Sequence, residues 1–236
     1  MRTKLLGLLG VAVLASMAAS CGTTEKGPDA KVTPFTDPKN PDETPATQVA
    51  YPDGPYGLSK GSVVPNFKFL GWHNPQIAAD VNNLEEIDFS QFYNPTGTDT
   101  WPADGSYRPG EPKPKVLWVD VSAQWCGPCN QESKTDLPPL YTKYQPMGAE
   151  IILELIEDNN GGPALPTNLH MWTTAYHTAW PAIIDPSRQM FTLAAADAYP
   201  ANILIDTRTM KIIAKVAGVP PAGDPFFTTL ESALAQ

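Results

Sequence analysis

The hydrophobic pattern is clearest in two predominantly apolar runs, residues 116–121 and residues 150–156. Runs of this length are typical of strands that are buried on both faces. Between the two runs, residues 130–137 are polar-rich and contain good helix formers. The order strand, helix, strand predicts a parallel, right-handed βαβ unit at the centre of the fold.

Shorter patterns precede this unit. Residues 61–71 alternate apolar and polar positions around Phe67 and Phe69, which predicts a short strand, and residues 87–92 form a second short segment. Residues 94–115 are rich in proline and glycine and show no periodicity, so they predict a long loop. A surface insertion is the simpler interpretation of this loop, and the alternative is that it borders a substrate groove.

The C-terminal half predicts a helix capped by Asn168, a strand, a second helix, and an antiparallel hairpin that leads to a terminal helix. Pro138-Pro139 predicts a kink or break in the helix that follows the first central strand. The predicted bounds are residues 169–179 and 186–196 for the two helices, 181–185, 201–206 and 211–218 for the strands, and 226–234 for the terminal helix.

The first 20 residues have the pattern of a signal peptide. Two positive residues precede an uncharged run, residues 5–19, that is shorter than the ~20 apolar residues of a membrane-spanning helix. Small residues stand directly before Cys21, which resembles a bacterial lipoprotein signal. The resemblance implies cleavage before Cys21 and attachment of a lipid to that residue. Ordinary cleavage that leaves a free thiol is the alternative.

Residues 21–60 predict a flexible, proline-rich tether, followed by a single domain over residues 61–236. Seven prolines and few large apolar residues occupy the tether, so it cannot bury enough surface to offset the entropy of ordering. Its aromatic end, residues 51–57, is expected to pack on the domain.

The chain is acidic. Loss of residues 1–20, which include Arg2 and Lys4, changes the net charge from −9 to −11. Such a chain lacks the basic footprint of nucleic-acid binding, so no nucleic-acid partner is expected. Attachment to a membrane is expected to come from the lipid at Cys21 rather than from charge.

Two cysteines stand at the predicted junction between the first central strand and its helix, with Gly127-Pro128 between them. A thiol at a helix N-terminus is stabilised as the thiolate by unpaired N–H groups and by the helix dipole, so Cys126 is the candidate nucleophile. Cys129 lies one turn further on and can attack a mixed disulfide formed by the first thiol. The third cysteine of the chain is Cys21, so no thiol competes with this pair once Cys21 is lipidated.

The sequence Trp125-Cys126-Gly127-Pro128-Cys129, with Asp120 six positions before Cys126, resembles the active-site motif of thioredoxins. The two short segments before it are similar to the N-terminal hairpin of the TlpA/ResA-like branch of that family. The resemblance covers residues 60–236. It implies an α/β, thioredoxin-like fold with a central mixed β-sheet flanked by helices and an N-terminal β-hairpin extension.

The thiols and one carboxyl group are the catalytic candidates. Cys126 is expected to be the more exposed thiol, and Cys129 the more buried one. Asp120 is expected to lie beneath them on an apolar strand, where burial raises its pKa. It would then take up or release a proton as Cys129 ionises.

The other candidates shape the site. Trp125 is expected to flank it as a flat apolar surface, and Gly127 and Pro128 to set the turn of the motif. Residues 199–206 resemble the family segment that carries a cis-proline, which implies that Pro200 faces the cysteines and contributes to substrate binding. Tyr199 replaces the small or β-branched residue that is usual there, which is expected to change the shape of the substrate groove.

Other chemistries of a cysteine pair fit less well. Structural zinc needs four ligands, whereas the motif supplies two, and the spacing of His170 and His177 lies outside the usual range. Copper-handling members of this fold use Cys-x-x-x-Cys. Peroxiredoxins place proline and threonine or serine where this chain has Val119 and Ala123. No metal and no cofactor are therefore expected.

The predicted function is that of a membrane-tethered thiol-disulfide oxidoreductase that reduces disulfides in exported proteins. Its expected partners are those proteins and a membrane thiol electron donor. Its expected location is the cell envelope, with the domain in the periplasm or extracytoplasmic space. The alternative hypothesis is a non-catalytic binding module or copper chaperone that uses the same dithiol. The direction of the redox reaction depends on a reduction potential that sequence does not reveal.

Overall fold

The computed structural model describes residues 51–190 and 198–236. The sequence-predicted leader, most of the tether with Cys21, and residues 191–197 lie outside the described residues. Within the described part, no helix is long and apolar enough to cross a lipid bilayer.

A seven-stranded mixed sheet forms the centre of the domain, as the sequence predicts. The strands are β1 (Lys68–Trp72), β2 (Glu85–Asp88), β3 (Val116–Ala123), β4 (Ala149–Glu157), β5 (Ala182–Ile184), β6 (Ala201–Asp206) and β7 (Lys211–Ala217). Their order across the sheet is β2-β1-β5-β4-β3-β6-β7. The β3-β4 and β4-β5 pairs are parallel, and the others are antiparallel. Every residue of β3 and β4 is buried, which explains why their sequences are predominantly apolar.

The N-terminal hairpin is present, and the predicted short segment of residues 87–92 divides into the end of a strand and a 3₁₀ turn. β2 stops at Asp88, and Phe89–Phe92 form a 3₁₀ turn. The carboxylate of Asp88 ends the strand because it accepts hydrogen bonds from the Gln91 N–H (3.2 Å) and the Ser90 hydroxyl (2.5 Å). Pairing of β1 with β5 joins the hairpin to the main sheet.

The helices that flank the sheet in the described ranges are α1 (Pro75–Ala78), α2 (Gly127–Gln131), α3 (Leu137–Tyr144), α4 (Pro166–Tyr176) and α5 (Pro225–Leu234). A π-helical turn, Glu132–Asp136, joins α2 to α3. The interruption of the helix that was predicted at Pro138-Pro139 therefore lies just before these prolines. Both prolines occupy the first turn of α3, where a missing N–H removes little hydrogen bonding.

Two local predictions in the C-terminal half are wrong. Helix α4 begins at Pro166, so Asn168 lies inside its first turn, where its side-chain oxygen accepts the Leu165 N–H (2.8 Å). Residues 186–190 form turns rather than the start of a helix. Arg188 adopts the left-handed backbone conformation there (φ 54°), which interrupts any helical path.

Residues 51–60, assigned to the tether by composition, pack against the domain. The Tyr51 hydroxyl donates to the Val64 carbonyl (2.8 Å), and the Lys215 ammonium group in β7 donates to the Leu58 carbonyl (2.8 Å). Directly after this segment, the Gly61 N–H donates to the Ile212 carbonyl in β7 (2.7 Å). The aromatic end of the tether thus contacts the domain, as expected, and the folded body begins before residue 61. These contacts also cover part of the open edge of β7, which reduces its capacity to pair with another strand.

The loop of residues 94–115 lies at the end of the sheet opposite the cysteines. Tyr107 and Arg108 from this loop contact Glu150 at the start of β4. Because β3 and β4 are parallel, the start of β4 lies beside the start of β3, whereas Cys126 follows the end of β3. The structure therefore favours the surface-insertion interpretation over a border of the substrate groove.

Candidate active site

The two thiols of the motif are joined where β3 passes into α2. The Cys126–Cys129 disulfide has an S–S distance of 2.06 Å and a Cα–Cα distance of 5.3 Å. Cys126 is the N-cap of α2, and its Sγ accepts the N–H of Cys129 (3.1 Å). The same N–H is placed to stabilise a thiolate at Cys126 once the disulfide is reduced. Cys126 is 3% exposed and Cys129 is fully buried. Cys126 is therefore the more exposed of the two residues, as expected, although the difference is small.

An aromatic rim lies beside the disulfide. Trp125 is 51% exposed, and its ring meets the Tyr199 ring edge to face at 5.6 Å. The Tyr199-Pro200 bond is cis, as expected. Pro200 precedes β6, whose first residue, Ala201, pairs with Val121 near the end of β3. The fold thus brings the expected substrate-binding residues to the end of the sheet that carries the cysteines.

Asp120 is fully buried on β3, on the same face of the sheet as the cysteines. Both of its carboxylate oxygens accept from the Ser122 hydroxyl, at 3.2 and 3.3 Å. Burial raises the pKa of Asp120 well above its ordinary value, and the bond from Ser122 offsets only part of that rise. The carboxyl group is therefore able to hold a proton near neutral pH.

Glu132 is a second buried carboxyl that the sequence analysis missed. One of its oxygens accepts from the Asn202 side-chain amide (3.0 Å), and the other has no hydrogen-bond partner in the described part of the chain. The Trp118 indole N–H donates to the Asn202 side-chain oxygen (2.6 Å), which fixes the orientation of that amide. Burial and the charge of Asp120 raise the pKa of Glu132. Its position three residues after Cys129 was the available signal, since that spacing places both residues on one helix face.

A further buried carboxyl, Glu154, lies on the other face of the sheet. It is paired in register with Val121 and is fully buried beside Asp185. Burial and the charge of Asp185 raise the pKa of Glu154 well above its ordinary value. The end of the sheet near the disulfide therefore holds several carboxyl groups that burial favours in the neutral form.

Helix α4 is fixed to the motif by polar contacts. Gln124 and Asn168 exchange hydrogen bonds of 2.9 and 3.3 Å, and the Tyr176 hydroxyl donates to the Asn130 side chain at 2.5 Å. Asn168 thus has a positioning role at this end of the sheet that its sequence neighbourhood did not suggest. The His170 ring packs against the Trp72 ring, with 6.2 Å between the ring centroids.

The fold and the closed Cys-x-x-Cys pair define a protein of the thioredoxin-like fold class. No family model matches the sequence, and no curated protein matches it. Solved structures of similar fold do exist. A candidate thiol:disulfide interchange protein DsbE from Chlorobium tepidum has a TM-score of 0.53 and 21% identity, over 75% of this chain and 99% of that one. A candidate protein disulfide isomerase from Bacteroides thetaiotaomicron has a TM-score of 0.51 and 17% identity, over 75% and 91%.

A hypothetical protein from Sinorhizobium meliloti 1021 has a similar likeness, with a TM-score of 0.52 and 14% identity over 76% of this chain and 86% of that one. At these identities the likeness establishes the fold. The predicted fold class, a thioredoxin-like mixed sheet flanked by helices with an N-terminal hairpin, is confirmed.

Proposed function

We propose that this protein is a thiol-disulfide oxidoreductase that reduces disulfides in exported proteins. The observation that carries the proposal is the closed Cys126–Cys129 pair at the start of a helix, at the end of the sheet to which cis-Pro200 also belongs, directly after the strand that contains the buried Asp120. The description of the Chlorobium tepidum structure as a thiol:disulfide interchange protein supports the same class of activity.

In the proposed reaction the reduced protein reacts through Cys126. Its thiolate attacks one sulfur of a substrate disulfide, which breaks that bond, forms a mixed disulfide and releases one substrate thiolate. The thiolate of Cys129 then attacks Cys126 Sγ, which closes the Cys126–Cys129 disulfide and releases the second substrate thiol. Two electrons pass to the substrate, whose two sulfurs leave as thiols after taking up two protons. A dithiol donor then reopens the protein disulfide.

Buried carboxyl groups are suited to the proton transfers of this cycle. Cys129 is fully buried, so it must lose its proton to a nearby group before it attacks. Asp120 and Glu132 have raised pKa values and lie on the face of the sheet and helix that carries Cys129. We assign them as the acceptors of that proton and its donors in the reverse step.

The cellular setting follows from the N-terminal sequence. The positive start, the uncharged run of residues 5–19 and the small residues before Cys21 support a lipid-anchored protein with its domain outside the cytoplasm. A membrane thiol electron donor would then regenerate the dithiol. Disulfide-containing exported proteins would be its substrates, and the residues between Cys21 and the domain would give the domain reach from the bilayer.

The test uses the full chain with dithiothreitol as electron donor and insulin as disulfide substrate. We expect Cys126→Ser to reduce the rate to the uncatalysed level, and Cys129→Ser to accumulate a mixed disulfide that mass spectrometry detects as a covalent adduct. Cys21→Ser is the matched control, because it should keep the activity while it releases the protein from membranes. No turnover by the wild type, with copper bound by its reduced form, would overturn the proposal and support the binding-module alternative.

A further inference from the structure

Glu157, the last residue of β4, links two side chains at the rim of the candidate site. It is only 7% exposed. One carboxylate oxygen accepts the Trp125 indole N–H at 2.5 Å, and the other lies 2.6 Å from a guanidinium nitrogen of Arg188. The backbone of Glu157 is fixed as well, because its carbonyl accepts the Gln124 N–H at 3.0 Å. Both oxygens of this buried carboxylate are thus used to hold residues beside the disulfide.

Arg188 presents the unused part of its guanidinium to solvent. Its side chain is 44% exposed, and both of its contacts, with Glu157 and with the Gly161 carbonyl at 3.4 Å, use Nη2. Nε and Nη1 have no hydrogen-bond partner within residues 51–190 and 198–236. The planar guanidinium group is well suited to bind a carboxylate, and an anchored arginine loses less side-chain entropy when it does so.

The position of Arg188 relates it to the reacting sulfurs. Its partner Glu157 holds Trp125, which directly precedes Cys126 and meets the ring of Tyr199 at 5.6 Å. The charges of Glu157 and Arg188 both act on the Tyr199 hydroxyl. The cation therefore belongs to the same rim as the aromatic rings of Trp125 and Tyr199.

We propose that Arg188 is a specificity-determining residue that binds a carboxylate group of the substrate next to its disulfide. Glu157 is the positioning residue that holds Arg188 and Trp125 for this contact. The inference rests on the proposed reductase function and names its substrate class, which is disulfides flanked by an acidic side chain or by a C-terminal carboxylate. The chain as a whole carries a net charge of −9, so long-range electrostatics favour basic substrates. A preference for acidic substrates would therefore indicate a local contact with Arg188 that outweighs the net charge of the chain.

The test compares disulfide-linked fluorogenic peptides that differ only in the residue beside the cysteine: Asp, Asn or Lys. A second pair, identical except for a free or an amidated C-terminus at that position, distinguishes a terminal carboxylate from a side-chain one. For the wild-type full chain we expect kcat/KM to be about tenfold higher for Asp than for Asn, mainly through KM, as for one charge-assisted contact.

The variants separate the contact from its support. Arg188→Ala is expected to bring the Asp/Asn ratio close to one. Glu157→Gln keeps an oxygen for the Trp125 indole but loses the ion pair, so it should lower the ratio while the tryptophan fluorescence stays unchanged. The matched control is Arg208→Ala, which removes an arginine paired with Asp206 (3.2 Å) at the opposite end of the sheet and should keep the full ratio.

The wild-type comparison decides the outcome even if a variant fails to fold. If the wild type reduces the disulfides of the Asp and Asn peptides with equal kcat/KM, this inference is overturned and the proposed reductase function is left intact. A wild-type preference that persists in folded Arg188→Ala would also overturn it. Reduction of none of the peptides would remove the proposed function, and the inference with it.

Discussion

Both ends of the central sheet contain buried carboxyl groups, but the hydrogen-bond and charge partners of these groups differ between the two ends. At the end away from the cysteines, Glu150 accepts hydrogen bonds from the hydroxyls of Tyr107 (3.0 Å) and Tyr141 (3.1 Å). Arg108 lies 3.3 Å from the same carboxylate and supplies a cation. Burial raises the pKa of Glu150 to about 7, and these three partners act against that rise.

At the end that carries the disulfide, the buried carboxyl groups Asp120 and Glu132 have fewer partners and no cation among the described residues, whereas Glu157 at the rim pairs with Arg188. Asp120 accepts from the Ser122 hydroxyl as its one hydrogen-bond partner in the described chain, and Glu132 accepts from a single amide. Neither forms an ion pair with any described residue. The hydrogen bond that each of them accepts offsets only part of the cost of burying a charge, so the neutral, protonated forms are favoured.

The comparison separates two uses of a buried carboxyl group. Glu150 and Arg108 attach a long surface loop to the sheet, which is a structural use that requires the charge to be matched. Asp120 and Glu132 lie without a cation on the face of the sheet and helix that carries Cys129, and in the proposed function they exchange protons with that thiol. Four substitutions, in order of expected effect, test this distinction.

Removal of the cation at the structural end should have the largest effect. Arg108→Ala leaves Glu150 buried without its charge partner, and we expect a loss of about 3 kcal/mol in the free energy of unfolding at pH 8. The loss should be smaller at pH 5, because a buried carboxyl with a raised pKa takes up a proton as the pH falls and the buried charge disappears. Urea titrations at both pH values measure this.

The control for that measurement is Arg208→Ala, whose ion pair with Asp206 is more exposed and contributes less. Activity per folded molecule should be unchanged by either variant. An equal loss at pH 5 and pH 8 would mean that Arg108 acts through packing and not through its charge.

Asp120→Asn should have the opposite effect on stability. The raised pKa of Asp120 means that the folded state is favoured when the group is protonated and loses stability as the pH rises through that pKa. The amide cannot ionise, so we expect a gain of about 1–2 kcal/mol at pH 8 and almost none at pH 4. Insulin reduction should slow by at least about tenfold, because the proton acceptor is lost.

Stability and rate are measured on the same preparations of Asp120→Asn. A variant that is destabilised at pH 8 would contradict the statement that this end of the sheet carries an unmatched charge. An unchanged rate of reduction would remove Asp120 from the proton transfers.

Glu132→Gln should produce a smaller and more specific change. Glutamine retains an oxygen that can accept from Asn202, so the fold should be preserved. Two interacting carboxyl groups titrate in two steps, so their pH–rate profile should simplify to one step when one of them is removed. Glu231→Gln, on the exposed face of α5, is the control. A two-step profile in Glu132→Gln would show that the second group lies elsewhere.

Ser122→Ala should give the smallest effect. The Ser122 hydroxyl stabilises the ionised form of Asp120, so its loss should raise the pKa of Asp120 further. The pH at which the reduction rate reaches half of its maximum should then move upward, with the maximal rate almost unchanged. A downward shift would mean that Ser122 stabilises the protonated form instead.

The sequence was informative where the relevant structure is local or repeated along the chain. The buried strands β3 and β4 follow from predominantly apolar runs, and the position of Cys126 at a helix start follows from Gly127-Pro128. Local rules failed at Asn168 and at residues 186–190. At Asn168 the helix begins earlier, at Pro166, and the side-chain oxygen of Asn168 accepts the Leu165 N–H. At residues 186–190 the left-handed backbone conformation of Arg188 interrupts the expected helix.

The sequence by itself determined the dithiol, its helix and the central βαβ unit, because each depends on residues within a few positions of one another or on the apolar pattern of a strand that is buried on both faces. Only the tertiary structure brought Glu157 to Arg188, 31 positions later, because that contact requires β4 and β5 to pair in parallel and end together. It also decided which buried carboxyl groups obtain a cation. Local spacing contains no information about partners that long-range strand pairing supplies.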